Sequence, residues 1–174
     1  DGVERDLFGN AVSLSGEVAL IGSSPNDDSR AGAAYIFRFD GSTWQEEAIL
    51  SSDGEQLNNF GTSVAINGDV ALVGTPVEGE SSYVYVYRRD GKTWQQEAKL
   101  SPNNVGEFEQ FGDRVSLHGD VALIGAYGYE TLSGAAYVFR FDLQDIASRV
   151  SGGLVPGSPI STTQDNGKTQ VTLI

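Results

Sequence analysis

The sequence has 174 residues and contains no cysteine, no methionine and only one histidine. Without cysteine there is no disulfide, no thiolate metal site and no thiol nucleophile. Without methionine there is no initiator, so the chain is expected to be a processed product or a segment of something longer. No run of ~18 apolar residues is present, the length a membrane-spanning helix needs. No signal peptide is visible either, which fits one already removed. Positive charge is also scarce: 11 Lys and Arg face 24 Asp and Glu, for a net charge of −13. Such a surface repels phosphate backbones, so nucleic acid is not an expected partner. A solvated acidic surface is the plain reading, and attraction of cations is the alternative. The one histidine, His118, has no second histidine or cysteine near it in sequence and is expected at a surface turn.

What is abundant is glycine, 22 residues, against 5 prolines. Many glycines with few prolines suit tight turns between short strands. The glycines recur in register. FGNAVSLSGEVALIGSSP begins at Phe8, FGTSVAINGDVALVGTP at Phe60 and FGDRVSLHGDVALIGAYG at Phe111. A period of about 51 residues marks a solenoid, a propeller or an array. The length is that of one domain able to bury roughly 70% of its unfolded surface, and the period divides that domain into three similar units.

Within each unit the pattern predicts four short strands. Ala11–Leu14 reads as the first, with a tight turn at Ser15-Gly16, Asn67-Gly68 or His118-Gly119. Asn-Gly is the strongest short hairpin signal. Val18–Gly22 and its copies are continuous apolar runs of strand length, which predicts strands buried on both faces. After a polar loop, a third strand is expected at Gly32–Phe39, Ser82–Arg88 and Gly134–Phe141, rich in aromatic and β-branched residues. Asp40-Gly41 and Asp90-Gly91 then turn into a fourth element that ends at Leu50 and Leu100. The spacing of Trp94, Glu97, Ala98 and Leu100 matches a short helix. The alternation of Trp94, Gln96, Ala98 and Leu100 after an Asp-Gly turn favours an outer strand.

The third unit departs from this pattern, because no Gly-x-Thr-Trp follows Phe141-Asp142. The expected divisions are a first blade over 1–59, a second over 60–110 and a third over 111–142 that lacks its outer strand. A Gly/Pro/Ser/Thr-rich linker or arm follows over 143–166. In the last segment, 167–174, Gly167-Lys168-Thr169 echoes Gly91-Lys92-Thr93, and Val171 and Leu173 alternate with Thr172. This segment is a candidate late strand for the third blade or for a neighbouring molecule.

Phe-Gly, then Val-Ala/Ser, then Gly-Asp-Val-Ala-Leu-Ile/Val-Gly, then Ala-Tyr-Val-Phe resembles the FG-GAP repeat that builds the β-propeller heads of integrin α subunits. With Gly-x-Thr-Trp-Gln-x-Glu after the third strand, it is most similar to bacterial FG-GAP-like repeats of large secreted or surface proteins. The resemblance covers residues 6 to 142. It implies an all-β fold of propeller-type blades, each of four antiparallel strands, in three repeats. It also implies extracellular adhesion or scaffolding more often than catalysis. Many such repeats carry a calcium loop of alternating carboxylates between the first two strands. Here that loop has shrunk to Ser15-Gly16-Glu17, Asn67-Gly68-Asp69 and His118-Gly119-Asp120. One carboxylate per turn falls short of the ~6–8 oxygens calcium takes, so integrin-type sites are not expected. Propellers close with roughly 4–8 blades. Three blades form a partial ring, completed by a second copy, by more of the chain, or by stacking into a polymer.

Few residues stand out for chemistry. Asp27 and Asp28 form the best local carboxylate pair for a cation, with a solvated loop as the default. No Gly-x-Ser-x-Gly, P-loop or dinucleotide fingerprint occurs in strand–helix context. Trp44 and Trp94 are expected to pack between blades, with sugar stacking as the alternative. No cofactor and no enzymatic activity are expected. The expected function is structural or adhesive, through protein–protein association and first of all self-assembly, with Trp44, Trp94, Val171 and Leu173 as association candidates. A glycan-binding module is the alternative.

Overall fold

A computed structural model describes residues 6–25, 31–53, 59–77, 82–101, 110–127 and 134–141, and the backbone of 163–165 and 168–170. Among the described residues every regular element is a strand. The first sheet holds β1 (Ala11–Ser15), β2 (Val18–Ser23), β3 (Ala33–Phe39) and β4 (Trp44–Leu50), in that order. The second repeats it with β5 (Ser63–Asn67), β6 (Val70–Thr75), β7 (Tyr83–Asp90) and β8 (Thr93–Leu100). The third has β9 (Phe111–His118), β10 (Val121–Ala126) and β11 (Ala135–Arg140). Every neighbouring pair is antiparallel. Each sheet is a propeller-type blade, and the described blades do not close into a ring.

The hairpin turns lie one residue later than the sequence suggests. Ser15 pairs with Val18 and Asn67 with Val70, so the turn residues are Gly16-Glu17, Gly68-Asp69 and Gly119-Asp120. Only the glycine has positive φ, at 57° in all three copies. A two-residue hairpin with glycine first needs no positive φ from Asn67, which stays in the strand. His118 is likewise the last residue of β9, exposed, and paired with Val121.

The blades stack face to face, and the stacking decides which apolar runs are buried on both sides. Val18, Leu20, Ala34, Ile36 and Leu50 of the first blade pack against Phe60, Val64, Ile66, Val73, Tyr85 and Tyr87 of the second. The opposite face of the second blade, Ala65, Val70, Leu72, Val84 and Val86, packs on Phe111, Ala122, Ile124 and Ala126 of the third. Alternate residues of one strand therefore serve two different interfaces. Every residue of β6 is buried, whereas β2 and β10 each have one more open face. The expectation of burial on both faces holds for the middle blade alone, because only that blade has a neighbour on each side.

The outer strands β4 and β8 form as strands rather than helices, each with a bulge. The register passes from Ile36–Ala48 to Phe37–Glu46, leaving Glu47 over, and from Val86–Ala98 to Tyr87–Gln96, leaving Glu97 over. A bulge re-aims the extra side chain. It also interrupts the strict alternation read from Trp94 to Leu100.

Beyond the third blade, among the described residues, β12 (Thr163–Asp165) and β13 (Lys168–Gln170) pair with each other as a two-stranded sheet. Of the segment 167–174, read as a candidate late strand for the third blade or for a neighbouring molecule, residues 168–170 pair with 163–165, and 167 and 171–174 lie outside the described residues.

Candidate functional site

The Phe-Gly turn that opens each blade is the joint between blades. Its phenylalanine packs edge-on against two aromatic rings of its own third strand: Phe8 on Tyr35 and Phe37, Phe60 on Tyr85 and Tyr87, Phe111 on Tyr137 and Phe139. Its glycine has φ of 91° at Gly9, 91° at Gly61 and 90° at Gly112. This left-handed conformation turns the peptide carbonyl toward the preceding blade without a Cβ penalty.

The preceding blade receives that carbonyl in a notch of small residues. A Cβ on Gly22 would lie 2.1 Å from the Gly61 carbonyl oxygen, and one on Gly32 would lie 1.8 Å from that of Phe60. A Cβ on Gly74 would lie 2.2 Å from the Gly112 carbonyl oxygen. Around the notches the blades are pinned by hydrogen bonds. Ser63 Oγ donates to the Gly112 carbonyl at 2.5 Å, and Asn10 Nδ2 donates to the Thr62 carbonyl at 3.3 Å. The Ile66 and Gly68 amides donate to Ser13 Oγ and Ser15 Oγ at 3.1 and 3.0 Å.

At the outer rim the bulge residue Glu47 joins the first two blades. It accepts from the guanidinium of Arg38 in its own blade, from Arg89 Nε at 2.7 Å and from Trp94 Nε1 at 2.9 Å in the next. Partial burial by itself raises the carboxyl's pKa. The hydrogen bonds from Arg38, Trp94 and Arg89 outweigh burial and hold it at about 2. Glu97 is the same position one repeat on and accepts from Arg88. Tyr87 lies deep in this first interface, its hydroxyl donating to the Ser51 carbonyl at 2.5 Å, and burial pushes its ionisation well above the ordinary tyrosine range.

The same positions at the two ends of the stack are open. Phe60, Val64 and Ile66 are at most 7% exposed, but their first-blade equivalents Phe8, Val12 and Leu14 are 51, 70 and 66% exposed. Leu20 and Leu72 are fully buried, yet their third-blade equivalent Leu123 is 48% exposed. An open groove of about 440 Å³ lies on the third blade between Gly125-Ala126 and Gly134-Ala135. These are the positions that form the filled notch of the first blade.

Of the sequence candidates, Trp94 packs against the core between the first two blades and donates to Glu47. Trp44, at the end face, is 47% exposed and tilted on Phe39, with ring centroids 5.4 Å apart. Asp27, Asp28, Val171 and Leu173 lie outside the described residues. Sequence reading missed Glu47, whose position opposite Arg89 depends on the bulge and on the neighbouring blade. It also missed the open groove. The recurring Gly-x-Thr-Trp-Gln-x-Glu at Trp44 and Trp94 was the available signal for the first.

The FG-GAP repeat model matches residues 1–37, 44–87 and 94–139. The chain belongs to the FG-GAP repeat family. No curated protein matches it. The second and third matched segments are offset from the blades by one strand: 44–87 runs from β4 into β7, and 94–139 from β8 into β11. One FG-GAP unit therefore supplies the outer strand of one sheet and the three inner strands of the next. Unit and sheet overlap, so each unit is tied to its neighbour by strand pairing as well as by packing. FG-GAP repeats are typically protein-binding or adhesion modules of extracellular or surface proteins.

Proposed function

We propose that this chain is a non-enzymatic, extracellular structural or adhesive module that acts through protein–protein association, with further copies of itself as first partner. The observation that carries this reading is the apolar end face formed by Phe8, Val12 and Leu14 on the first blade, with Leu123 half-exposed at the other end of the stack. Each end exposes residues whose equivalents inside the stack are buried against another blade. An exposed apolar cluster such as the one on the first blade marks an interaction site, and membership of a family of binding and adhesion modules points the same way. The net charge of −13 supports solubility while the end faces remain free to associate. Sedimentation equilibrium of the 174-residue chain tests this. A concentration-dependent rise above the 18.5 kDa monomer mass is expected. A monomer across the concentration range counts against self-association.

A further inference from the structure

The geometry points to a head-to-tail contact between copies, in which the Phe8-Gly9 turn of one copy seats in the third-blade groove of another. This deepens the association reading above and rests on it.

The two surfaces are halves of a joint the molecule already makes twice. Gly9 has the φ of Gly61 and Gly112, but a Cβ built on it meets nothing within 4 Å. Its turn is preformed: the Gly9 amide donates to the Gly22 carbonyl at 2.9 Å and the Asn10 amide to the Leu7 carbonyl at 3.0 Å. The equivalent bonds in the second blade are Gly61 to Gly74 and Thr62 to Asn59. On the receiving side, Gly125 corresponds to Gly22 and Gly74, and Gly134-Ala135 to Gly32-Ala33. A Cβ on Gly125 would find nothing closer than Arg114 Cβ at 3.5 Å, where the two filled notches hold an incoming carbonyl at 2.1 and 2.2 Å.

Much of the surroundings matches as well, although Asp113 stands where Asn10 donates to the Thr62 carbonyl and cannot make that bond. Ser116 stands where Ser13 accepts the Ile66 amide, and it is exposed. In the proposed contact it accepts the amide of Leu14, the first-blade equivalent of Ile66. Arg114 stands where Ser63 donates to the Gly112 carbonyl; one of its guanidinium nitrogens is bonded to Asp113, and in the proposed contact the exposed remainder donates to the carbonyl of Gly9. Leu123 meets Val12 and Leu14 as Leu20 and Leu72 meet the next blade. The contact is heterologous, so copies close into a ring if the rotation allows and extend as a filament if it does not. Two copies of three blades make six, within the roughly 4–8 blades of closed propellers.

The deciding experiment is sedimentation equilibrium of the full chain beside its Gly125→Ala variant, with a thermal melt of each. The added methyl has room within its own chain and blocks the incoming carbonyl. The expected result is an unchanged melt with association weakened at least tenfold. Phe8→Ala, on the opposite partner surface, is expected to weaken association as well. Mixing Phe8→Ala with Gly125→Ala should restore a dimer with one intact joint, since each variant keeps one good half. Association that persists unchanged in Gly125→Ala overturns the seating of Phe8-Gly9 while leaving self-association standing. A monomeric parent chain overturns both.

Discussion

Glu47 shows how much a single residue in this protein depends on where the chain carries it. As one of 24 acidic residues it is unremarkable in sequence, yet three donors from two blades converge on it. Its pKa of about 2 lies below the ordinary 4.5, so its ionised form stabilises the fold. That contribution is complete above about pH 4.5 and is lost as pH falls toward 2. Replacing it by glutamine leaves Arg38 and Arg89 without their shared carboxylate and is expected to cost on the order of 1–3 kcal/mol at pH 7. Urea midpoints measured from pH 7 to pH 2 check both points. The parent should lose stability between pH 4.5 and 2, and Glu47→Gln should show a shallower loss there.

At the scale of the element, the Phe-Gly turn behaves differently in copies that are almost identical in sequence. Phe60 is fully buried between the first two blades, whereas Phe8, with the same aromatic partners in its own blade, is 51% exposed. Truncating a fully buried phenylalanine to alanine costs about 3–5 kcal/mol through lost transfer energy and the cavity left behind. Phe60→Ala is therefore expected to lower the denaturation midpoint sharply. Phe8→Ala in the monomer is expected to cost less than about 1.5 kcal/mol. Equal effects in denaturant titrations of the two would show that the turns do not differ in burial as described. The outer strands carry a related lesson. Their alternation and Asp-Gly turns made them legible as strands, but the bulge that sets aside Glu47 and Glu97 left no mark beyond the recurring glutamate.

For the whole molecule, stability should be graded rather than uniform, because repeat units contact mainly their neighbours. The second blade has an interface on each face, and the first and third have one each among the described residues. Native-state amide exchange is expected to be slowest in β6 and β7, which are buried between interfaces, and faster in β1 and β9. Uniform protection across the three blades would contradict this gradient. The overlap of family unit and sheet reinforces the coupling, since the second and third FG-GAP units each place their first strand in the preceding blade.

The period, the all-β class, the four-strand plan and the order of strands were all legible before folding, because glycine positions, apolar runs and Asp-Gly turns are local signals that act within a few residues. The sequence also carried the family resemblance through Phe60-Gly61 and its two copies. It did not distinguish the copies by burial: Val12, Val64 and Val115 look alike, and only stacking makes the first exposed and the second buried. The turn register, the rim cluster at Glu47 and the open groove at Gly125 were decided by tertiary structure. Each depends on a partner about fifty residues away or on the absence of a neighbouring blade among the described residues, and no local pattern encodes that.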